Sequence, residues 1–172
     1  MSVMLLILFS TALFAQPAGY EHRKLITLNS SQVSGSIAHA NFPVMVKLTD
    51  VDLKSTSNGG GVVSPSGYDI LFTSKDSTTL LDHELQNYSS TTGDLLCWVR
   101  IPSLSPTVND TIILYYGKSG IYDDQSDTLT WNSNYLGVWH LEDLSDAAGA
   151  YILTDHNTAA NSSGYLGSAR EF

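Results

Sequence analysis

The chain has 172 residues, 42% of them hydrophobic and only 15% charged, enough apolar content for a real core and too much for a disordered polymer. Its net charge is −9, with no clustered Lys/Arg stripe, which excludes a nucleic-acid binder because phosphate neutralisation needs grouped cations. The charge is uneven: residues 19–120 hold seven Lys/Arg against nine acids, residues 121–172 one against eight, and this shift predicts a boundary near residue 120.

The opening "MSVMLLILFSTALFA" (1–15) reads as a secretory leader. Met4 to Phe14 is an apolar run too short to span a bilayer, and Ala15 is a small residue before the cut. The competing reading is a buried first strand. Export places the protein in the periplasm, at the cell surface or outside the cell, with no transmembrane span. Cys97 is the single cysteine, so no internal disulfide forms and stability must come from core area.

From there two-residue alternation recurs. "HRKLITLN" (22–29) puts Lys24, Ile26 and Leu28 on one face; "FPVMVKLT" (42–49) does so with Val44, Val46 and Leu48. "YDILFTS" (68–74), "TLLDHELQNY" (79–88), "DLLCWVRIP" (94–102) and "TIILYYG" (111–117) follow suit and are rich in Val, Ile, Thr and aromatics. In "LLCWVRIP" Cys97 alternates with Leu95, Val99 and Ile101, which predicts a buried, inert thiol. Turn clusters separate the runs. "SNGGGVVSPSG" (57–67) predicts a flexible surface loop, and "PSLSPTVND" (102–110), with two prolines, a crossover between sheets. No stretch carries a helical period over helical length. The fold class is all-β, an antiparallel, jelly-roll-like β-sandwich.

The order of these motifs, "RKLITL", "NFPVMVKLT", "GYDILFTSKDSTTLLDHELQNYSSTTGDLLCWVRIPSL" and "DTIILYYG", resembles the family catalogued as domain of unknown function 2341, from about Tyr20 to Gly117. The chain departs from that pattern at Ser77, where the hairpin turn often has Gly, at His83, where an aromatic is frequent, and at Lys118, where Asn is common. In that family the closing strand is commonly followed by the start of a concanavalin-like, laminin-G-like sandwich, which "WNSNYLGVWHLED" (131–143) and "SSGYLGSAREF" (162–172) resemble. The resemblance implies a leader over 1–15, a β-sandwich over 19–120, an acidic linker over 121–134, and over 135–172 the truncated N-terminal part of a second sandwich. In it "GVWHLED" would be a first strand and Phe172 would begin another.

Several clusters could carry chemistry. Alternation sets Asp82, Glu84 and Gln86 on one face, so Asp82 and Glu84 are close enough for an acid–base pair, although a structural hydrogen bond is the simpler role for Glu84. His140, Glu142 and Asp143 lack a matching further metal ligand, and Asp69, Asp76 and Asp94 at turns suggest calcium only weakly, without an Asp-x-Asp-x-Asp loop. "DDQSD" (123–127) reads as a solvated linker. "NGGG" lacks the Lys-Ser/Thr of a phosphate loop. Asn29, Asn87, Asn109 and Asn161 begin glycosylation triplets. The aromatics Trp98, Tyr115, Tyr116, Trp131, Tyr135 and Trp139 are candidates for a platform on which sugar rings stack, and of each adjacent pair one must leave the sandwich interior.

The resulting expectation is an exported, non-catalytic module for binding or display, with carbohydrate or a cell-surface glycan as ligand through Trp98, Tyr115, Tyr116, Trp139, Asp82 and Glu84, no resident cofactor, and a lectin-like domain downstream. The alternatives are a glycan-active enzyme using Asp82 and Glu84, an envelope accessory domain of a proton-channel, biopolymer-transport system, implied by the family's known attachments, and a structural spacer.

Overall fold

The computed structural model describes residues 16–164 and 166–171. The leader expected over 1–15 and the strand expected to begin at Phe172 lie outside the described residues. Strands β1 (His22–Leu28), β2 (His39–Thr49), β3 (Leu71–Ser74), β4 (Leu80–Leu81), β5 (His83–Ser89), β6 (Asp94–Leu104) and β7 (Asp110–Tyr116) form two antiparallel sheets, ordered β1-β7-β3-β4 and β2-β6-β5. A separate hairpin follows, β8 (Ala159–Gly164) with β9 (Gly167–Glu171). Short 3-10 turns are the only helical elements among the described residues, and no described helix is long and apolar enough to cross a membrane.

The alternation read from the sequence decides which side chains meet between the sheets. Ile26 and Leu28 of β1, Val44, Val46 and Leu48 of β2, Leu95, Cys97, Val99 and Ile101 of β6, and Ile112, Leu114 and Tyr116 of β7 share one core. Each fully buried aliphatic side chain there contributes about 1.5–3 kcal/mol. The Cys97 thiol is wholly enclosed, and burial pushes its pKa far up, so it is an inert core group. The run 79–88 is not one strand. Asp82 interrupts it, and the chain passes there from the four-stranded sheet (β4) to the three-stranded one (β5). β6 extends to Leu104, so Pro102 belongs to its end and only Pro106 lies in the crossover.

The glycine-rich loop is not the flexible excursion its composition predicts. Val62 is fully buried, Thr56 N–H donates to the Val62 carbonyl, and the wholly buried Asp69 accepts from the backbone N–H groups of Val63, Ser64 and Gly117 at 2.8, 2.8 and 2.9 Å. One carboxylate thus ties the loop to the end of β7. Gly93 closes the β5–β6 turn at φ +75°, where a Cβ would fall 2.0 Å from the Asp50 carbonyl oxygen, so no other residue fits.

Candidate functional site

The outer face of the three-stranded sheet holds the densest functional constellation. Register aligns Met45 of β2, Trp98 of β6 and Glu84 of β5 in one cross-strand row, pointing away from the core. Gln86 shares the parity of Glu84 on β5, and its Oε1 accepts from Trp98 Nε1 at 2.8 Å.

Residues 126–143 lie over this face as a strap. At the outer edge of β5, Asp127 N–H donates to the His83 carbonyl and Leu85 N–H to Ser126 Oγ, both at 2.9 Å. The acidic linker is therefore fastened to the sheet where free solvation was expected. The strap then crosses β6, where Trp131 packs on Trp98 with ring centroids 5.2 Å apart, and reaches β2, where Asn132 Nδ2 donates to the Asn41 carbonyl at 2.8 Å. It turns at Tyr135, set edge-on against Trp131 at 5.2 Å, and returns to β5.

Glu84 is the centre of this arrangement. Its Oε2 accepts from Trp131 Nε1 at 2.8 Å, and His140 Nε2 lies 3.1 and 3.2 Å from its two oxygens. His140 is also stacked nearly parallel on Trp98, with 14° between the ring planes. Two residues on, Glu142 Oε1 accepts from Gln86 Nε2 at 3.0 Å. His140 and Glu142 thus both face β5, although the backbone between them is not extended, with Leu141 at φ 63°, and they meet Glu84 and Gln86. Asp143 accepts from the backbone and hydroxyl of Ser145, which holds its pKa down. The segment "GVWHLED" forms no strand. Its backbone is shaped by Asp146, whose carboxylate accepts from the N–H groups of Val138, Ala148, Ala150 and Tyr151 and has a lowered pKa for that reason.

Beside the strap, along β2, runs a groove of about 620 Å³. Trp98, Tyr135 and Met45 form its aromatic end, Ile26, Leu28, Val44, Val46 and Leu48 its aliphatic floor, with Lys47, Asn29 and Gln32 also in its wall.

The other expected site residues are dispersed or enclosed. Asp82 forms an ion pair with Arg100, while Glu84 has the partners above, so each carboxylate of the expected pair is engaged separately. Tyr116 is a core residue packed against His22. Tyr115 leaves the core, as one of each aromatic pair must, but is wholly buried under Tyr20 and Leu71. Neither tyrosine is on an exposed platform. The Trp139 ring folds back against Gly137. Asp69 serves the loop already described, Asp94 accepts from Thr49 and Thr92, and Asp76 is held at about 2 by the hydroxyl and backbone of Thr79 and the backbone of Thr78. These three carboxylates occupy separate turns and do not converge on a calcium site. Among the described residues, no three His, Cys, Asp or Glu side chains are grouped to hold a metal ion.

Alternation places Gln86 on the face of Glu84 without assigning it a role, whereas nothing in "LEDLSDAAGAY" marks Asp146 as the residue that organises the return of the strap.

Fold and site together define an antiparallel β-sandwich whose smaller sheet is covered by an acidic, aromatic strap. Residues 66–158, more than half of the chain and including the whole strap, match the model of the domain of unknown function (DUF2341), and the chain belongs to that family. No curated protein matches the chain, and no solved structure does.

Proposed function

We propose that the chain is an exported, non-catalytic recognition module that binds carbohydrate at the aromatic end of the groove beside β2. The observation that carries this reading is the joint presence of Trp98 and Tyr135 in the wall of one groove, which the polar residues Lys47, Asn29 and Gln32 also line. Aromatic faces for apolar sugar edges, with hydrogen-bonding groups at the margin, are what a glycan requires. A non-catalytic role is supported by the separate engagement of Asp82 with Arg100 and of Glu84 with Trp131 and His140, so the two carboxylates do not act on one substrate as a pair. The resemblance of residues 131–143 to the opening of a concanavalin-like sandwich adds a lectin-like domain downstream to the same reading.

The test is a glycan array probed with the chain from Gln16 onward, beside Trp98→Ala and Tyr135→Ala. Each ring is expected to contribute roughly three- to tenfold in retention. Equal retention by both variants and the parent would overturn the site. Asp82→Asn separates binding from catalysis: cleavage of a labelled oligosaccharide by the parent and its loss in this variant would establish the enzyme reading instead.

A further inference from the structure

We infer that the open side of the sandwich, between β1 and β2, is an acceptor site for an extended strand of another protein, with apolar side chains at alternate positions and a carboxylate facing Lys47. This goes beyond the aromatic-wall reading and uses the aliphatic half of the groove.

The two sides of the sandwich are built differently. On the β4–β5 side the chain passes from sheet to sheet at Asp82, and Ser126 and Asp127 bond to the outer edge of β5. On the opposite side β1 and β2 are both terminal strands of their sheets, with no described strand beyond either. Six apolar side chains pack against the core while only partly buried, and four of them, Ile26, Val33, Val44 and Leu48, line this one groove. The core is therefore unfinished on one side only. The groove's core-facing members, Ile26 and Leu28 of β1 and Val44, Val46 and Leu48 of β2, stand at alternate positions, and a strand with apolar side chains at alternate positions is what completes them.

The backbone selects the class of occupant. β2 runs for eleven residues as a sheet edge, and a row of free N–H and C=O groups is matched in register only by another polypeptide backbone. Pro43 has no N–H, which confines a new ladder to Val44 onward. Charge then selects the partner. Lys47 is the one charged side chain in the groove wall. A carboxylate opposite it is favoured.

The experiment is selection of a phage-displayed library of random peptides of about nine residues, enough for one strand, on the chain from Gln16 onward, with Lys47→Glu in parallel. The expected enriched sequences alternate apolar residues and carry Asp or Glu. A synthetic consensus peptide is expected to slow amide exchange over Val44–Leu48 by about tenfold or more. Lys47→Glu, a surface change that leaves the core intact, is expected to weaken that peptide about three- to tenfold and to select Lys or Arg in its place. The inference is overturned by no enrichment on a chain with native near-ultraviolet dichroism, by enriched sequences without alternation, or by protection falling on residues 131–143 instead. Concentration-dependent dimerisation in sedimentation that blocks selection would also overturn it, by making the occupant a second copy. Loss of glycan retention in Tyr135→Ala with peptide binding unchanged would show that the two halves of the groove act separately.

Discussion

Glu84→Ala should release the strap without unfolding the sandwich. The carboxylate is 17% exposed, accepts a charge-assisted hydrogen bond from Trp131 Nε1 at 2.8 Å and faces His140 Nε2 at 3.1 Å. Truncation removes both contacts and strands an indole N–H on a residue only 8% exposed. Losing one charge-assisted bond and leaving its buried partner unsatisfied costs about 2–3 kcal/mol. The Glu84 side chain lies on the outer face of its sheet, so the cost falls on local opening of the strap, and 1.36 kcal/mol per factor of ten converts it to roughly 30- to 150-fold faster amide exchange. The amides to follow are Trp131 and Tyr135, hydrogen-bonded within the strap, and Val138, bonded to Asp146 just beyond it. The reference is Val99, deep in the sandwich. Unchanged exchange at the strap amides, or equal acceleration at Val99, would refute the assignment of Glu84 as the fastening of a locally opening segment.

Other consequences follow from single residues. Ser77 is held at φ +65°, a region that costs an L-residue about 1–2 kcal/mol, so Ser77→Gly should stabilise the chain by about 0.5–1 kcal/mol once the extra chain entropy of glycine is subtracted, read as a higher urea midpoint; a lower midpoint would show that the seryl side chain contributes to the hairpin. His83 is buried against Phe72, and burial lowers its pKa below 6.5, so the folded chain keeps it neutral where the unfolded chain takes up a proton. Stability should be full above pH 6.5 and fall as the pH drops below it, and His83→Leu should flatten that part of the stability profile; an unchanged slope would refute this origin. The Cys97 thiol should react with a disulfide reagent only after urea unfolding, and labelling of the native chain would contradict its burial.

The strand content was legible because each face of each sheet meets a different environment. Leu95, Cys97, Val99 and Ile101 could alternate with Leu96, Trp98 and Arg100 only if one set faced a core, and that is how β6 sits. The break at Asp82 was not legible, since Leu81, His83 and Leu85 keep the same parity through it and only the change of sheet reveals it. The loop over 57–67 misled because glycine composition signals backbone freedom, whereas Asp69, distant in sequence from Gly117, supplies the acceptors that remove it. For the site, the outward set Asp82, Glu84, Gln86 and Trp98 was readable from period two. Their partners Arg100, His140 and Trp131 were not, because those contacts span up to 56 residues and no local pattern encodes them. Tyr115 and Tyr116 show the same limit: alternation sends one outward, but whether a remote segment such as Tyr20 then covers it is a tertiary fact.

The strap also sets where this module could be cut and moved between genes. Charge composition suggests a joint near residue 120, yet a crossover there would strip Trp131 and His140 from the face of β6 and leave Trp98, Glu84 and Gln86 facing water in every recombinant. A unit that travels whole has to carry its chain past Glu142. Viable shuffling joints in this lineage should therefore lie beyond the return of the strap, so the last residues of the module, and not the first of its neighbour, are those anchored to the sandwich.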